Sequence, residues 1–357
     1  MGGNALNVPT RRYEKKEYVK IGNDVLSMLA NYRIVAVIPD SYSNKETFGD
    51  LDVLIKSSTV KKDIIEIINH LFHPNEIYNN NNVKSFDFRE FQIDFILVGD
   101  ENWFTSINYF SFNDLGNFIG RISYQMGFRF GDYGLKLVYR HEDGGRKFSK
   151  IISKKPHKIY EFLGFDYEKY LEGFDEVEDI FEYVVQSKYF NPKIFEYEQL
   201  NHQNRTRNKK RKNYELFLQY VKDNPKTSTM TIGGYIGDEP SQEITLLTTY
   251  VFGDKEGFVD KAEKFFETEI RSEINKWKER VDQEKRASGI FNGNIVMEHF
   301  PLRGKELGAA MKNFNDYFNS LIPSATPEEQ KLYRSRWILD NNMETIFRVF
   351  KDVNNLN

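Results

Sequence analysis

The chain contains no cysteine. Disulfides, thiolate zinc centres and cysteine nucleophiles are therefore excluded, and the composition suits a reducing compartment. Long apolar runs are also missing: nothing approaches the ~20 consecutive apolar residues of a membrane-spanning helix. The opening stretch "MGGNALNVPTRRYEKKEY" has no apolar h-region, and Leu6 stands where a myristoylation signal needs Ser or Thr. Nor is there an excess of one charge. The 50 basic and 53 acidic residues leave a formal net charge of -3, so any nucleic-acid surface is local rather than global. Histidines are few, and His141, His157, His202 and His299 stand too far apart in sequence to form a metal-ligand motif. These absences point to an intracellular, cytoplasmic protein that does not engage a membrane.

What is present is enough apolar and aromatic material for a sizeable core, 39% and 15% of 357 residues, which suits two or three domains. Heavy use of Lys, Asn, Ile, Phe and Tyr matches an AT-rich genome such as many viruses and phages carry. Tyr18, Ile21, Val25, Leu26 and Leu29 recur at helical spacing, which predicts a helix over 13–31. Short strands follow at "RIVAVIP", at Leu51 to Ile55, at "VKSFDFREF" and at "QIDFILV", with an amphipathic helix over 61–71 between the second and third. Two helices then run to Gln125. "YGLKLVYRHEDGGRKFSKII" reads as a hairpin turning at Asp143-Gly144-Gly145. Beyond it the pattern is helical: 176–187, 214–222, one long charged helix over 255–286, and a C-terminal stretch broken at Gly304 and at Pro323 to Pro327. The expected class is α/β of the α+β kind, a mixed β-sheet flanked by helices followed by a mainly helical C-terminal region.

One stretch carries chemistry. In "TFGDLDVLI", Asp50 and Asp52 alternate with apolar residues, so both point to one face of a strand, about 6–7 Å apart. Two carboxylates so placed repel each other unless a cation lies between them, and a hard, oxygen-ligated divalent ion is the natural partner. Asp94 is a third acid inside an otherwise apolar strand, where an unpaired charge is costly. Its bland use is an ion pair with Arg89. Should the two strands be neighbours, three carboxylates converge as in two-metal phosphoryl or nucleotidyl transfer. A separate feature, "NRTRNKKRKN", places Arg205, Arg207, Lys209, Lys210, Arg211 and Lys212 within eight residues. It is either a solvated linker or a contact to phosphate backbones.

The order of these motifs resembles the DNA polymerase beta-like (family X) branch of the nucleotidyltransferases. That family shows a Gly-Ser turn, a loop, Gly-Asp-x-Asp, a third acid on a later strand, and a Tyr-Phe pair beyond it. Here stand "PDSYSNKETFGDLDVLI", "QIDFILV" and Tyr109-Phe110, and the likeness spans about 33–197. The resemblance implies a nucleotidyltransferase palm at 33–125 behind an N-terminal helix at 1–32. A thumb-like part would follow at 126–200, then a helical domain at 201–357 that opens with the basic segment 205–212. It implies two Mg²⁺ ions, with Mn²⁺ as a substitute, on Asp50, Asp52 and Asp94. A nucleoside triphosphate would be held by Ser41 or Ser43, with Lys45 and Gly49 nearby. Tyr109 and Phe110 would pack on the sugar and base, Asp114 and Asn117 would lie beside the base, and Arg121 would reach the template. The implied activity is addition of nucleotides to a nucleic-acid 3′-hydroxyl, DNA before RNA, as in repair synthesis. The rival readings are transfer to RNA ends or to a protein, and a palm that only binds nucleic acid. Two departures stand out: Asp40 precedes Ser41 where the family has glycine, and Phe112 replaces the glycine after the Tyr-Phe pair.

Overall fold

The computed structural model describes residues 3, 5–142, 144–224 and 255–356. Asp143, at the expected hairpin turn, and the Gly- and Ser-rich stretch 226–242 lie outside them. The chain divides into two compact units, 1–138 with 149–268, and 139–148 with 269–357.

The first unit opens with β1 (Tyr13–Glu14) and α1 (Lys15–Asn31), whose start is fixed by a reciprocal capping box between Glu14 and Glu17. Next come β2 (Ala36–Val37), β3 (Thr47–Phe48) and β4 (Asp50–Lys56). Then follow α2 (Ile64–Phe72), β5 (Ile77–Asn80), β6 (Val83–Phe88) and β7 (Phe91–Val98). Five of the strands form a mixed sheet in the order β2-β4-β7-β6-β5, with β4 and β7 parallel at its centre and their other neighbours antiparallel. The expected α+β class is what the chain adopts.

Strand alternation explains what each face does. Leu51, Val53 and Ile55 of β4 and Phe91, Ile93 and Phe95 of β7 point to one face, where they pack with Val25 and Leu29 of α1 and Ile67 and Ile68 of α2. On the other face, Leu54, Ile96 and Val98 meet Trp103, Ile107 and Phe110 of α3 (Trp103–Phe110). Central strands covered on both sides read as nearly unbroken apolar runs, as these do. Phe95 is fully buried and edge-on to Phe72 and Phe86. Phe95→Ala is therefore expected to cost about 3–5 kcal/mol, measurable by urea unfolding of the first unit.

After α3 come α4 (Leu115–Gln125) and β8 (Phe128–Gly131), then the hairpin β9 (Gly134–Arg140) and β10 (Lys147–Ser153), in the sheet order β10-β9-β8. Helices α5 (Pro156–Phe162), α6 (Tyr167–Glu172) and α7 (Val177–Val185) follow. The basic stretch is not a linker. Arg205 and Arg207 lie in α8 (His202–Asn208), Lys212 starts α9 (Lys212–Asp223), and Lys209, Lys210 and Arg211 make the tight turn between them. Tyr214 and Phe217 of α9 are fully buried and pack on Phe118 of α4, so residues 201–223 fold with the first unit rather than opening the C-terminal domain.

The long helix expected over 255–286 is two, α10 (Lys255–Phe266) and α11 (Arg271–Ile290). The break falls at Glu267, whose φ of 53° is left-handed and ends the helical hydrogen bonding. Apart from the hairpin residues 139–148, the second unit is helical: α11, then α12 (Gly293–His299), α13 (Gly304–Leu321), α14 (Pro327–Asp340) and α15 (Met343–Asn354). Phe291, Phe314, Phe318, Ile346 and Phe350 make its core. Among the described residues, no helix is long and apolar enough to cross a membrane.

Candidate active site

The alternation that sends Leu54 and Ile96 under α3 places four polar side chains on the same face, towards the start of β4 and β7. Asp52 is the register partner of Asp94, and Asp50 that of Gln92. On the next strand, Ser85 is opposite Asp94. The condition for the acids to share a site is met: β4 and β7 are neighbours, and the three acids fall within two residue pairs of one parallel ladder.

Each carboxylate has its own electrostatic history. Asp52 stays reachable from solvent, yet protein surrounds its carboxyl on most sides. That burial, then the charges of Asp50 and Asp94, push its pKa up to about 8. Burial also pushes Asp94 up to about 6, against the pull of hydrogen bonds from Ser85 and Gln92. The side-chain amide of Gln92 donates to both Asp94 oxygens, at 2.9 and 3.1 Å. Asp50 accepts the backbone N–H of Gly3 at 3.1 Å. Lys45 is half-buried with its ammonium 4.3 Å from the ring centre of Phe48. Burial lowers it to about 8 although Asp50 and Asp52 pull the other way. Arg89, the bland partner for Asp94, pairs instead with Asp24 at 2.6 Å.

The donor set is hard and oxygen-based, which suits Mg²⁺ or Mn²⁺. Among the described residues, however, no three acid or histidine side chains converge on a common point as a metal cage. The hydrogen bonds from Gly3 and Gln92 turn Asp50 and Asp94 towards protein donors instead.

The other expected site residues divide into several groups. Lys45 and Gly49 lie with the acids, Gly49 so close to Gly3 that a Cβ on the latter would overlap its carbonyl oxygen. Ser41 and Ser43 do not join them. They line a cleft of about 400 Å³ with Asp40, Glu172, Asp175 and Asp179, where a triphosphate would meet like charge. Ser43 also directs its N–H and hydroxyl to the Phe174 carbonyl.

Tyr109 packs edge-on against Phe130 and sits tightly over Gly116, whose missing side chain makes the room. Phe110 covers Leu54 and Ile96. Phe112 is held at φ 58°, the left-handed region where glycine is at ease, by the rings of Tyr170 and Phe174. Burial between those rings is what lets a phenylalanine stand at the glycine position.

Asp114 forms an ion pair with Arg211, and Asn117 carries a buried side-chain amide nitrogen with no hydrogen-bond partner among the described residues. Arg121, expected on a template strand, is buried and donates to the Ile194 carbonyl at 2.6 Å. Helical spacing shows which residues share a face, and here that face looks inward. In the basic segment, Arg205 is spent on the carbonyls of Tyr197 and Leu200. Arg207, Lys209 and Lys210 are exposed, and Lys212 heads α9. Arg207 and Arg211 both act electrostatically on the Tyr109 hydroxyl.

Sequence reasoning missed Gln92 and Gly3. Gln92 was findable, since it lies two residues before Asp94 and so shares its face. Gly3 had no local signal.

No family model matches the chain, and no curated protein matches its sequence. Among solved structures, the chain is similar to a polymerase beta from Leishmania infantum, crystallised as a ternary P/T complex. The two share 12% identity with a TM-score of 0.31, over 40% of this chain and 62% of the polymerase, so the match spans less than two thirds of that protein.

Proposed function

We propose that this chain is a metal-dependent nucleotidyltransferase. It would join a nucleotide from a nucleoside triphosphate to the 3′-hydroxyl of a nucleic acid and release pyrophosphate. The observation that carries this reading is the pairing of Asp52 with Asp94 across parallel strands, with Asp50 on the same face. Burial, with repulsion from the neighbouring acids added to it, raises Asp52 and Asp94 above the usual carboxylate range, and a bound cation would favour their ionised forms.

Asp50, Asp52 and Asp94 would hold Mg²⁺, which when bound supplies charge stabilisation for the attacking and leaving oxygens. Asp94 would also lie beside the attacking hydroxyl, where it would accept the proton. Lys45 would offset part of the carboxylate charge before substrate arrives. Arg207, Lys209 and Lys210 are exposed cations for phosphate contacts. Replacing Arg207 and Lys210 together by alanine is expected to weaken nucleic-acid binding. The salt slope should also fall by about 1 for each phosphate no longer neutralised, read by fluorescence anisotropy across a salt series.

The burial of Arg121 favours a second version of the same chemistry, transfer to an end without template instruction. Primer extension separates the two. A labelled primer is incubated with Mg²⁺ or Mn²⁺ and each triphosphate, with and without a template strand. Incorporation that follows the template base supports the polymerase version, and incorporation indifferent to it supports end addition. Salt-dependent nucleic-acid binding with no incorporation and no pyrophosphate under either metal leaves a binding module only.

A further inference from the structure

We propose that Gly3 and Ala5 form a latch on the carboxylate patch that competes with a divalent cation for Asp50 and Asp94. The proposal rests on the reading of Asp50, Asp52 and Asp94 as cation ligands. Gly3 donates its N–H to Asp50 Oδ2 at 3.1 Å. Ala5 donates its N–H to Gln92 Oε1 at 2.9 Å. With that oxygen taken, the amide nitrogen of Gln92 faces Asp94 and donates to both carboxylate oxygens. One short peptide thus engages Asp50 directly and Asp94 through a side chain that it orients. A lone pair given to an N–H is withheld from a cation, and hydrogen bonds to a carboxylate are the stronger, charge-assisted kind.

The seat is built for glycine. Gly3 has φ +83°, and a Cβ there would overlap the Gly49 carbonyl oxygen. The anchor lies away from the patch. Glu76 accepts the N–H groups of Asn7 and Val8 at 2.7 and 2.9 Å and the Asn7 side chain at 2.8 Å. Glu76 is itself held by its own N–H, donated to Asp87 at 2.8 Å. None of the described residues from 3 to 10 is buried, so hydrogen bonds rather than apolar packing hold the segment down. Such a segment opens at low cost while the sheet beneath stays folded. Gly3 and Gln92 are positioning residues: they act by deciding where Asp50 and Asp94 point.

The test is Mn²⁺ titration by isothermal calorimetry on the full chain and on Gly3→Ala and Glu76→Ala. The first variant unseats the latch at the patch, and the second releases its anchor without altering Asp50, Asp52 or Asp94. Mn²⁺ is expected to bind Gly3→Ala about tenfold more tightly, the scale of one charge-assisted hydrogen bond, with a smaller gain for Glu76→Ala. In the unaltered chain, Mn²⁺ is expected to raise deuterium uptake in the peptide covering residues 1–12. Binding to the variants but not to the unaltered chain supports the latch. Equal or weaker binding by both variants, where the unaltered chain binds, overturns the latch and leaves the metal reading standing. No Mn²⁺ binding by any of the three overturns the metal reading, and the latch with it.

Discussion

Asp52→Asn is expected to reduce nucleotide incorporation by about 10³ or more while leaving the fold intact. The size follows from the role. A group that orders charge stabilisation at a reacting phosphate is worth at least as much as one oxyanion donor, about 10²–10³. Asparagine keeps the shape of the side chain and removes the ionisable carboxyl, which the fold does not need: burial and the charges of Asp50 and Asp94 disfavour the ionised form, against the pull of Lys45. Asp94→Ala is expected to fall by a similar factor, and the double variant little further, since groups serving one ion act as a unit. Quench-flow or gel-based primer extension reads the rate, and circular dichroism checks the fold. Either single variant extending primers at the unaltered rate would defeat the carboxylate reading.

The second large effect is on stability against pH. Without divalent cations, the protein is expected to lose stability as pH rises through about 6 and again through about 8. The ordinary pKa of an aspartate is near 3.8, whereas Asp94 is raised to about 6 and Asp52 to about 8. Between those limits the native state holds protons that the unfolded chain has already released, so raising the pH favours unfolding. The stabilising contribution is complete below the unfolded value and is gone above the folded one. Each group contributes at most about 1.4 kcal/mol per pH unit in its window. Calorimetric unfolding in EDTA from pH 5 to 9 measures the slope. Asp52→Asn is expected to flatten the upper part, and Mn²⁺ to reverse it by favouring the ionised carboxylates. A flat profile in EDTA for the unaltered chain would mean that burial and neighbouring charge do not raise Asp52 and Asp94 as their placement requires.

These effects depend on one sheet face, and much of that face is legible in the sequence. Period-two alternation places Asp50 and Asp52 together, sets Asp94 beside Ile96, and puts Leu51, Val53 and Ile55 on the opposite side. The apolar stripe of α1 was equally plain, because it is set by residues within a turn of each other. Legibility ended where a side chain's use depends on an element far along the chain. Arg121 shares a helix face with Asp114 and Asn117, but Ile194 decides that it is buried, and Arg211 decides the partner of Asp114. The charge run 205–212 read equally well as linker or as phosphate contact. It became part of the first unit because Tyr214 and Phe217 insert beside Phe118.

By itself, then, the sequence determined the local chemistry: which acids share a strand face, where the strongly periodic strands and helices of the first unit lie, and the lack of thiol chemistry. Only the tertiary structure decided what those acids face. It paired β4 with β7 in the register that sets Asp52 against Asp94. It also brought Gly3 to Asp50 and Ala5 to Gln92, across 47 and 87 residues of chain. The physical reason is range. Backbone periodicity repeats every two or 3.6 residues and is written locally, whereas strand neighbours and hydrogen-bond partners follow from how whole elements bury their apolar faces.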